Sequence, residues 1–492
     1  MINKFWIFQI FQILVWSNIK LFSIKKVNYM SCRPVLKKPR ATIADIVLFW
    51  LILSLAYLPS ASVGQELPQL GENSVINIEW ERKLGEDFYR KLLAQGAVET
   101  DLLVDQYIND LGAILLSGMD SRVRDYRFFI VKNLGINAFA VPGGYIGVNI
   151  GLINQAKTRH QLASVLAHEI AHVRLMHSLR LMEKASNLSS TALVSLLAGI
   201  LLAGANPDVG SALLFGSVAG SQQSVINFTR ENEYEADRLG IELLQDAGFD
   251  ANGMVEFFII MEKLAGNSEF QSIEYLRTHP VHVNRISEAV ARIRQGTQPL
   301  QGDIYYSMFR DYLEYISFDH LEVSGSQFRK ALALIKLGQH DLANKMLVKL
   351  HQQDGGNIWY GYTLAENLEA MNLPRDAEKI VRQMLDIYPG DYVLSLRLVR
   401  LLRTSGRYAD ALKIARSLEI NYPQEQAVYY ELTEIYRRLG QANLSMMSEA
   451  EYHQLKGNRE RAVQLYDQIL SSADTDLTTE SRAREKRKQI EK

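Results

Sequence analysis

The order of apolar and polar positions predicts the secondary structure of the first half of the chain. Between residues 73 and 117, apolar and charged residues alternate with a helical period, which predicts two amphipathic helices. A β-rich block follows, with predicted strands at residues 126–131, 137–141 and 145–149. Because Pro142-Gly143-Gly144 separates the last two strands, they should form a hairpin that leads into a further helix at residues 164–173.

The middle of the chain is rich in apolar residues. We expect the helix at residues 164–173 to continue to about Lys184, and two apolar runs follow at residues 191–205 and 209–219. Each run is too short to span a bilayer comfortably, since a span needs about 20 residues. Two interpretations of residues 191–219 stay open. The segment is either a buried helical hairpin or a mobile flap that contacts a membrane surface or gates substrate entry.

Beyond residue 320 the pattern repeats every 34 residues. A turn residue recurs at this interval, a small residue follows five positions later, and a Tyr-Pro pair recurs with the same period. The turn residues are Gly338, Asn372, Gly406 and Gly440, the small residues are Ala343, Ala377, Ala411 and Ser445, and the Tyr-Pro pairs begin at Tyr388 and Tyr422. The period predicts about four tetratricopeptide repeats with a core of their own, extended by a turn at Gly457.

The first 64 residues differ in composition from the rest of the 492-residue chain. They carry eight Lys or Arg against one acid, and an apolar run at residues 43–58 follows basic Lys37, Lys38 and Arg40. Small residues around Gly64 offer cleavage positions, so residues 1–64 are predicted to be a signal peptide region. An uncleaved membrane anchor is the alternative interpretation.

The remaining chain is acidic and has no cysteine. Without the predicted signal, 46 of the 54 basic and 54 of the 55 acidic residues remain, a net charge of −8. An acidic balance does not favour binding to nucleic acid, so we expect no nucleic acid partner. The single cysteine, Cys32, lies in the predicted signal, and a mature chain without thiols suits an oxidising compartment such as a bacterial periplasm.

One motif carries specific chemistry. His168 and His172 are four residues apart on a predicted helix, so both imidazoles project from one face and can bind one metal ion. Glu169 lies beside the first histidine, where its carboxylate can act on a water at that ion. This spacing is typical of zinc peptidases, whose catalytic sites have three protein ligands and one open position.

A third ligand must come from elsewhere in the chain. His177 lies nine residues after the first histidine of the motif, on the opposite face of a continuous helix, so we interpret it as a surface or hydrogen-bonded residue. Farther along, Glu233 and Asp237 share one face of a second predicted helix. Glu231 and Glu235 point roughly the other way and are interpreted as solvated charges.

The His168–His172 motif, followed some sixty residues later by an E-x-x-A-D sequence from Glu233 to Asp237, resembles the gluzincin peptidases that include HtpX and the CAAX prenyl endopeptidases. With a secretory signal and C-terminal tetratricopeptide repeats, the chain is similar to the BepA-type periplasmic zinc metalloproteases. The resemblance implies a mostly α fold. An α+β gluzincin metallopeptidase domain with a small β-sheet would cover residues 65–300, followed by an α-solenoid of repeats at residues 320–475.

Carried over residue by residue, the resemblance makes His168, His172 and Glu233 the ligands of one Zn²⁺ per chain. Glu169 becomes the general base, and Asp237 orients a ligating imidazole. The implied reaction is hydrolysis of a peptide bond. Zinc activates a water and polarises the scissile carbonyl, while Glu169 passes the proton of the water to the leaving amine.

Three further residues have roles that stay open at this point. The strand that begins at Asn137 resembles the family's edge strand, which binds substrate by backbone pairing, or it is a plain structural strand. Arg285 matches a family arginine that could steady the oxyanion, or it forms a salt bridge. His279 precedes Pro280 and belongs to a loop. It either occupies the fourth zinc position in a resting state or orients the loop, and His282 is a weaker candidate.

The implied function is proteolysis of protein substrates in the periplasm, with quality control and chaperone-like assistance of outer-membrane protein assembly. Its partners would be these substrates and the outer-membrane protein assembly machinery, bound in the concave groove of the repeats. The alternative is a repeat-based adaptor or chaperone with little proteolytic activity, against which the intact motif argues. A membrane-embedded prenyl-protein processing enzyme would need several long apolar spans, which the sequence lacks.

Overall fold

The structure is a computed structural model, and it describes residues 74–117, 119, 125–178, 180, 222–266, 274–294 and 304–491. The predicted signal region at residues 1–64 and the apolar runs at residues 191–219 lie outside these residues. Within the described part of the chain, no helix combines the length and the apolar character that crossing a bilayer requires. The fold class predicted from the sequence is confirmed, since helices dominate and a single small sheet accompanies them.

The two predicted amphipathic helices are α1 (Ser74–Ala94) and α2 (Leu102–Leu116). Asp101 caps the N-terminus of α2, because its side chain accepts hydrogen bonds from the backbone N–H groups of the second and third helical residues. The apolar faces of both helices are buried, including Phe88 in α1 and Ile108 in α2. Both helices therefore pack as the sequence period predicts.

The sheet has three strands, β1 (Arg127–Val131), β2 (Ala138–Val141) and β3 (Tyr145–Asn149). Their order is β1-β3-β2, with β3 parallel to β1 and antiparallel to β2, so the predicted hairpin is confirmed. The turn depends on Gly143, whose φ of 85° is open to glycine, and a Cβ there would lie 2.5 Å from the carbonyl oxygen of Glu81. This topology leaves β2 at one edge of the described sheet.

Six helices come next after the sheet among the described residues, and the second of them carries the metal-binding motif. They are α3 (Ile150–Gln155), α4 (Arg159–Arg174), α5 (Gln222–Asp246), α6 (Asn252–Ala265), α7 (Glu274–Thr278) and α8 (Val283–Arg292). Helix α4 packs against α5, α6 and β2, and its residues 161–171 are all buried. The prediction that this helix continues to Lys184 is wrong. It ends at Arg174, and two residues later Met176 adopts a φ of 57° that no α-helix contains.

The second half of the described chain is a series of antiparallel helices. They are α9 (Ile304–Ser317), α10 (Gln327–Lys336), α11 (His340–Gln353), α12 (Ile358–Ala370), α13 (Pro374–Ile387), α14 (Tyr392–Thr404), α15 (Tyr408–Asn421), α16 (Gln426–Arg438), α17 (Ala442–Leu455), α18 (Arg459–Ser471) and α19 (Leu477–Glu491). The predicted turn residues all have positive φ, namely Gly338, Asn372, Gly406, Gly440 and Gly457. Ala343, Ala377 and Ala411 are fully buried, as close packing of paired helices requires. The repeat prediction is thus confirmed.

Most of the repeats share a core with the first domain, contrary to our expectation, and α17 to α19 form a small hydrophobic cluster of their own. Buried residues from Leu103 to Tyr436 form one continuous hydrophobic cluster. The ring of Tyr107 on α2 stacks on Phe309 of α9 with 4.2 Å between centroids, and Tyr306 donates a hydrogen bond of 2.9 Å to the carbonyl of Ala156. Helix α9 therefore connects the first domain and the repeats through side-chain packing as well as through the covalent backbone.

Candidate metal centre

Helix α4 directs two imidazole nitrogens at one point. Thr158 caps its N-terminus by accepting a hydrogen bond from the backbone N–H of Gln161, and the apolar residues around the motif bury the helix. His168 is 2% exposed, and its Nε2 atom lies 2.9 Å from Nε2 of His172. The four-residue spacing read from the sequence thus becomes a pair of donor atoms on one face.

Two residues from other parts of the chain complete a cluster of four donors. Glu233 on α5 and His279, the residue directly after α7, join the two histidines, and all four donor atoms lie within 4.8 Å of one another. The carboxylate of Glu233 lies 3.4 Å from Nε2 of each α4 histidine, and Nδ1 of His279 lies 3.3 Å from Nε2 of His168. Tetrahedral zinc holds ligands at about 2.0–2.1 Å, which separates them by about 3.3 Å. The spacing therefore fits such an ion.

A buried arginine holds the carboxylates of α5 in place. Asp237 lies one turn after Glu233, and its Oδ1 is 3.0 Å from Nδ1 of His168. Arg285 on α8 donates two hydrogen bonds of 2.7 and 2.8 Å to Asp237, and its Nη1 lies 2.9 Å from Glu233 Oε2. The guanidinium also stacks over Phe258 and donates to the carbonyl of Pro280. Arg285 is 1% exposed, so these contacts occur away from water.

The electrostatics of the cluster suit a bound cation. Burial opposes a charge on His168, but hydrogen bonds with Asp237 and Glu233 outweigh burial and raise its pKa to about 10. Burial lowers the pKa of His172 to about 3, which leaves this imidazole neutral, as a metal ligand must be. Burial also acts against the charge of Glu233, yet the imidazoles around it, that of His279 first, hold its pKa well below the usual range. A metal ion would supply the positive charge that these donors surround.

Glu169 is buried beside this cluster. Its side chain is 1% exposed, and burial raises the pKa of its carboxyl group. The backbone of Ala140 in β2 hydrogen-bonds to it, and Oε1 lies 3.5 Å from Nε2 of His279 without forming a hydrogen bond. A buried carboxylate oxygen without a hydrogen-bond partner in the described residues is available for a group that enters the site.

The edge strand β2 runs along the helix that bears the histidines. Asn137 immediately precedes it, and the carbonyl of Asn137 accepts a 2.9 Å hydrogen bond from the backbone N–H of Asn149, which extends the pairing with β3. The side chain of Asn137 is buried, and its Oδ1 has no hydrogen-bond partner in the described residues. The loop before the strand is tied to α7, because Tyr275 N–H donates to the carbonyl of Ile136.

His279 and His282 have different surroundings. His279 is 8% exposed, and its ring lies near that of Tyr275, with 4.9 Å between centroids. Its backbone N–H donates a 2.7 Å hydrogen bond to the carbonyl of Tyr275, which anchors it to α7. His282 is exposed and occupies the N-cap position of α8, so it contributes nothing to the donor cluster.

His177 is hydrogen-bonded, as one of the two interpretations has it, but it does not lie on the face that helical spacing predicts. Because α4 ends before it, the ring folds back under the motif, where its Nδ1 lies 2.9 Å from Nδ1 of His172. Its Nε2 lies 3.1 Å from Glu235 Oε2, so Glu235 is also more than a solvated charge. Helical spacing fails here because a left-handed residue, Met176, separates His177 from the helix. No signal in the local sequence marks that break.

Two family models match the chain. The model described as peptidase family M48 matches residues 103–293, which include α4, the described part of α5 and the segment that carries His279. The tetratricopeptide repeat model matches residues 374–435, which lie within α13 to α16. The peptidase match precedes the repeat match in the chain, as the domain with the small sheet precedes the helical repeats in the structure.

Several relatives of known name resemble this chain. It is 31% identical over 441 residues to the beta-barrel assembly-enhancing protease of Escherichia coli (strain K12), which covers 85% of this chain and 88% of the relative. It is 30% identical over 447 residues to the putative beta-barrel assembly-enhancing protease of Vibrio cholerae serotype O1, covering 86% and 92%. The mitochondrial metalloendopeptidase OMA1 of Schizosaccharomyces pombe is 27% identical over 223 residues, covering 43% and 60%.

Proposed function

This chain belongs to peptidase family M48 and is a metalloendopeptidase, and from that premise we propose that its metal is one zinc ion held by His168, His172 and Glu233. The observation that carries this proposal is the convergence of three donors at tetrahedral spacing, of which His168 and Glu233 are buried and His172 is partly buried. With zinc in place of the proton on His168, two imidazoles and one carboxylate form a ligand set that catalytic zinc sites use, and it leaves a fourth position for the reaction.

Zinc and two carboxylates of the protein would each have a separate role in the hydrolysis. When bound, zinc supplies a Lewis acid that polarises the scissile carbonyl and lowers the pKa of the attacking water. Glu169 takes the proton of that water and passes it to the leaving amine. Its burial supports this role, since the raised pKa brings the carboxyl group nearer to the pH at which it must both accept and release a proton. Asp237 fixes the ring of His168 through its Nδ1 atom.

In this proposal, His279 occupies the fourth zinc-ligand position while the enzyme is in its resting state. Its Nδ1 atom lies 3.1 Å from Glu233 Oε1 and 3.3 Å from Nε2 of His168, so it is spaced like the three other donors. A closed set of four protein ligands would leave no room for water at the metal. Hydrolysis then requires that the loop at Pro280 moves and withdraws His279 when substrate or a partner binds.

Two more residues are assigned from their contacts. We assign Arg285 to the salt bridge and not to the oxyanion, because its hydrogen bonds go to Asp237 and Pro280 and its Nη1 approaches Glu233. The edge strand that follows Asn137 receives an extended substrate by backbone pairing, which its position at the sheet edge beside Glu169 supports.

We further propose that the protein acts in the periplasm on protein substrates and assists outer-membrane protein assembly, as the names of its relatives suggest. A cleft of about 620 Å³ between α1, the start of β1 and the helices α16 and α17 supports a recruiting role for the repeats. Five tyrosines line it: Tyr89, Tyr126, Tyr145, Tyr430 and Tyr452. Tyrosine-rich clefts suit polypeptide ligands because each ring combines apolar contact area with a hydrogen-bonding hydroxyl.

Metal analysis tests the proposed ligand set. Wild-type protein should contain one zinc per chain, and Glu233→Ala should lose it during dialysis against a weak chelator, together with proteolysis of a casein substrate. The control Glu242→Ala changes an exposed glutamate of the same helix and should keep zinc and activity. If Glu233→Ala retains stoichiometric zinc and wild-type activity, the assignment is wrong.

A further inference from the structure

The two histidines of α4 are supported in different ways on the side away from the cluster. Nδ1 of His168 lies directly against the buried carboxylate of Asp237. Nδ1 of His172 lies 2.9 Å from Nδ1 of a second imidazole, that of His177, whose Nε2 in turn lies 3.1 Å from Oε2 of Glu235. A line of side chains therefore runs from the proposed metal position to a carboxylate that is 43% exposed.

The direction of the hydrogen bonds in this line follows from the proposed zinc site, on which the inference rests. If Nε2 of His172 binds metal, the neutral ring must carry its proton on Nδ1 and donate it. Nδ1 of His177 is then the acceptor, so its own proton is on Nε2 and is donated to Glu235. Each of the two imidazoles is left with one possible tautomer, and every nitrogen in the line has a partner.

We propose that His177 is a positioning residue that orients His172 at the metal and relays the negative charge of Glu235 to it. A metal-bound imidazole is ordinarily held by a carboxylate, a carbonyl or a water on its second nitrogen. Here an imidazole takes that place and the carboxylate acts one residue farther out. His177 thus does for His172 what Asp237 does directly for His168.

The local fold shows why His177 reaches this position. The left-handed Met176 turns the chain back after α4, and the ring of His177 is 4% exposed, at an interplanar angle of 75° to that of His172. Arg180 fixes the outer end of the line, since it donates hydrogen bonds both to Glu235 and to the carbonyl of Leu175, the C-cap of α4. The turn, the relay and the end of the helix are therefore held as one unit.

Three variants of the full chain separate positioning from packing. His177→Leu removes both nitrogens, His177→Asn restores an acceptor near the position of Nδ1, and Glu235→Gln keeps an acceptor but removes the charge. Zinc affinity is measured by competition with a chromophoric chelator. We expect His177→Leu to bind zinc about 10–100-fold more weakly, His177→Asn to recover part of that loss, and Glu235→Gln to weaken binding several-fold. Glu231→Gln, an exposed neighbour on α5, is the matched control and should not change affinity.

Two further readouts guard against a purely structural effect. The visible spectrum of cobalt-substituted protein should change in His177→Leu and return towards wild type in His177→Asn, because it reports the geometry of the ligands. The melting temperature of the metal-free protein should change much less than zinc affinity. An equal loss of both, without rescue by asparagine, would mean that His177 only fills space and would overturn the proposal.

The remaining outcomes are also decisive. Unchanged zinc affinity in His177→Leu overturns the relay, and if that variant does not fold, unchanged affinity in Glu235→Gln overturns it instead. Failure of the proposed function gives a different result: the wild-type protein would not bind zinc stoichiometrically, or His172→Ala would bind it as tightly as wild type does. If the wild type binds zinc stoichiometrically and His172→Ala loses it, but His177→Leu binds it as tightly as the wild type, the relay alone is refuted.

Discussion

The metal centre is built from contacts between residues far apart in the sequence, whereas the repeat array is built mainly from contacts between successive helices. The donor cluster joins residues as far apart as His168 and His279, which are 111 positions apart, and an arginine from a third helix holds it together. In the repeats, each helix packs mainly on the next, and one left-handed residue reverses the chain at each paired turn. The difference teaches that a change at the centre should affect chemistry, whereas a change in a repeat should affect local stability.

The largest expected effect comes from a Glu→Gln substitution at the metal centre, which we compare with the same substitution at an equally buried glutamate of the repeats. Glu169→Gln should lower the turnover of a short peptide by about 10²–10⁴-fold, because it removes the proposed proton carrier but none of the proposed ligands. Zinc content should stay at one per chain. Glu431→Gln changes a repeat glutamate that is also 1% exposed and pairs with Arg400 and Arg403. It should reduce stability but leave peptide turnover unchanged, and equal turnover losses would remove the distinction between the regions.

The second prediction concerns the arginine that holds the centre. Arg285→Leu leaves the buried carboxylates of Asp237 and Glu233 without this partner, which should cost about 3–5 kcal/mol of unfolding free energy. Urea titration of metal-free protein measures the cost. Arg238→Leu is the matched control, since Arg238 pairs with Glu288 at the surface and should cost less than about 1 kcal/mol. Similar costs in the two variants would contradict the assignment of Arg285 to the salt bridge.

A smaller effect is expected at a repeat turn. Gly406 has a φ of 76°, and a side chain in this conformation costs about 1–2 kcal/mol, so Gly406→Ala should lower stability by that amount. Gly355 lies in the same array, is not among the residues with positive φ, and has space for a Cβ. Gly355→Ala should therefore be neutral or slightly stabilising. Neither variant should change zinc affinity, and a change in Gly406→Ala would show that the turn is coupled to the centre.

The smallest predicted effect is at the contact between the two regions. Tyr306→Phe removes the hydroxyl that donates to the carbonyls of Ile153 and Ala156, which should cost about 0.5–1.5 kcal/mol. Tyr305→Phe, at an exposed neighbouring ring, should have no effect on the same urea titration. If the two regions unfold in separate transitions in Tyr306→Phe but together in the wild type, this bond contributes to their cooperativity. A wild type that already unfolds in two steps would contradict the shared core.

Much of the site could be anticipated because its strongest signal is local. The i, i+4 spacing placed His168 and His172 on one helix face, and the pair formed by Glu233 and Asp237 was visible for the same reason. The resemblance of these motifs to a known family then linked the two helices. Periodicity places His177 on the wrong face, because it assumes that the helix continues and nothing in the adjacent residues marks its end at Arg174.

The sequence by itself determined the parts of this protein that depend on neighbours along the chain. The 34-residue period, the left-handed turn residues and the motif on α4 follow from backbone conformation and helical geometry, which act over a few residues. Only the tertiary structure decided that Glu233 and His279 meet the two histidines, that Arg285 ties them together, and that the repeats share a core with the first domain. These contacts join residues that are far apart in the sequence, and local conformational propensity carries no information about which distant residues meet.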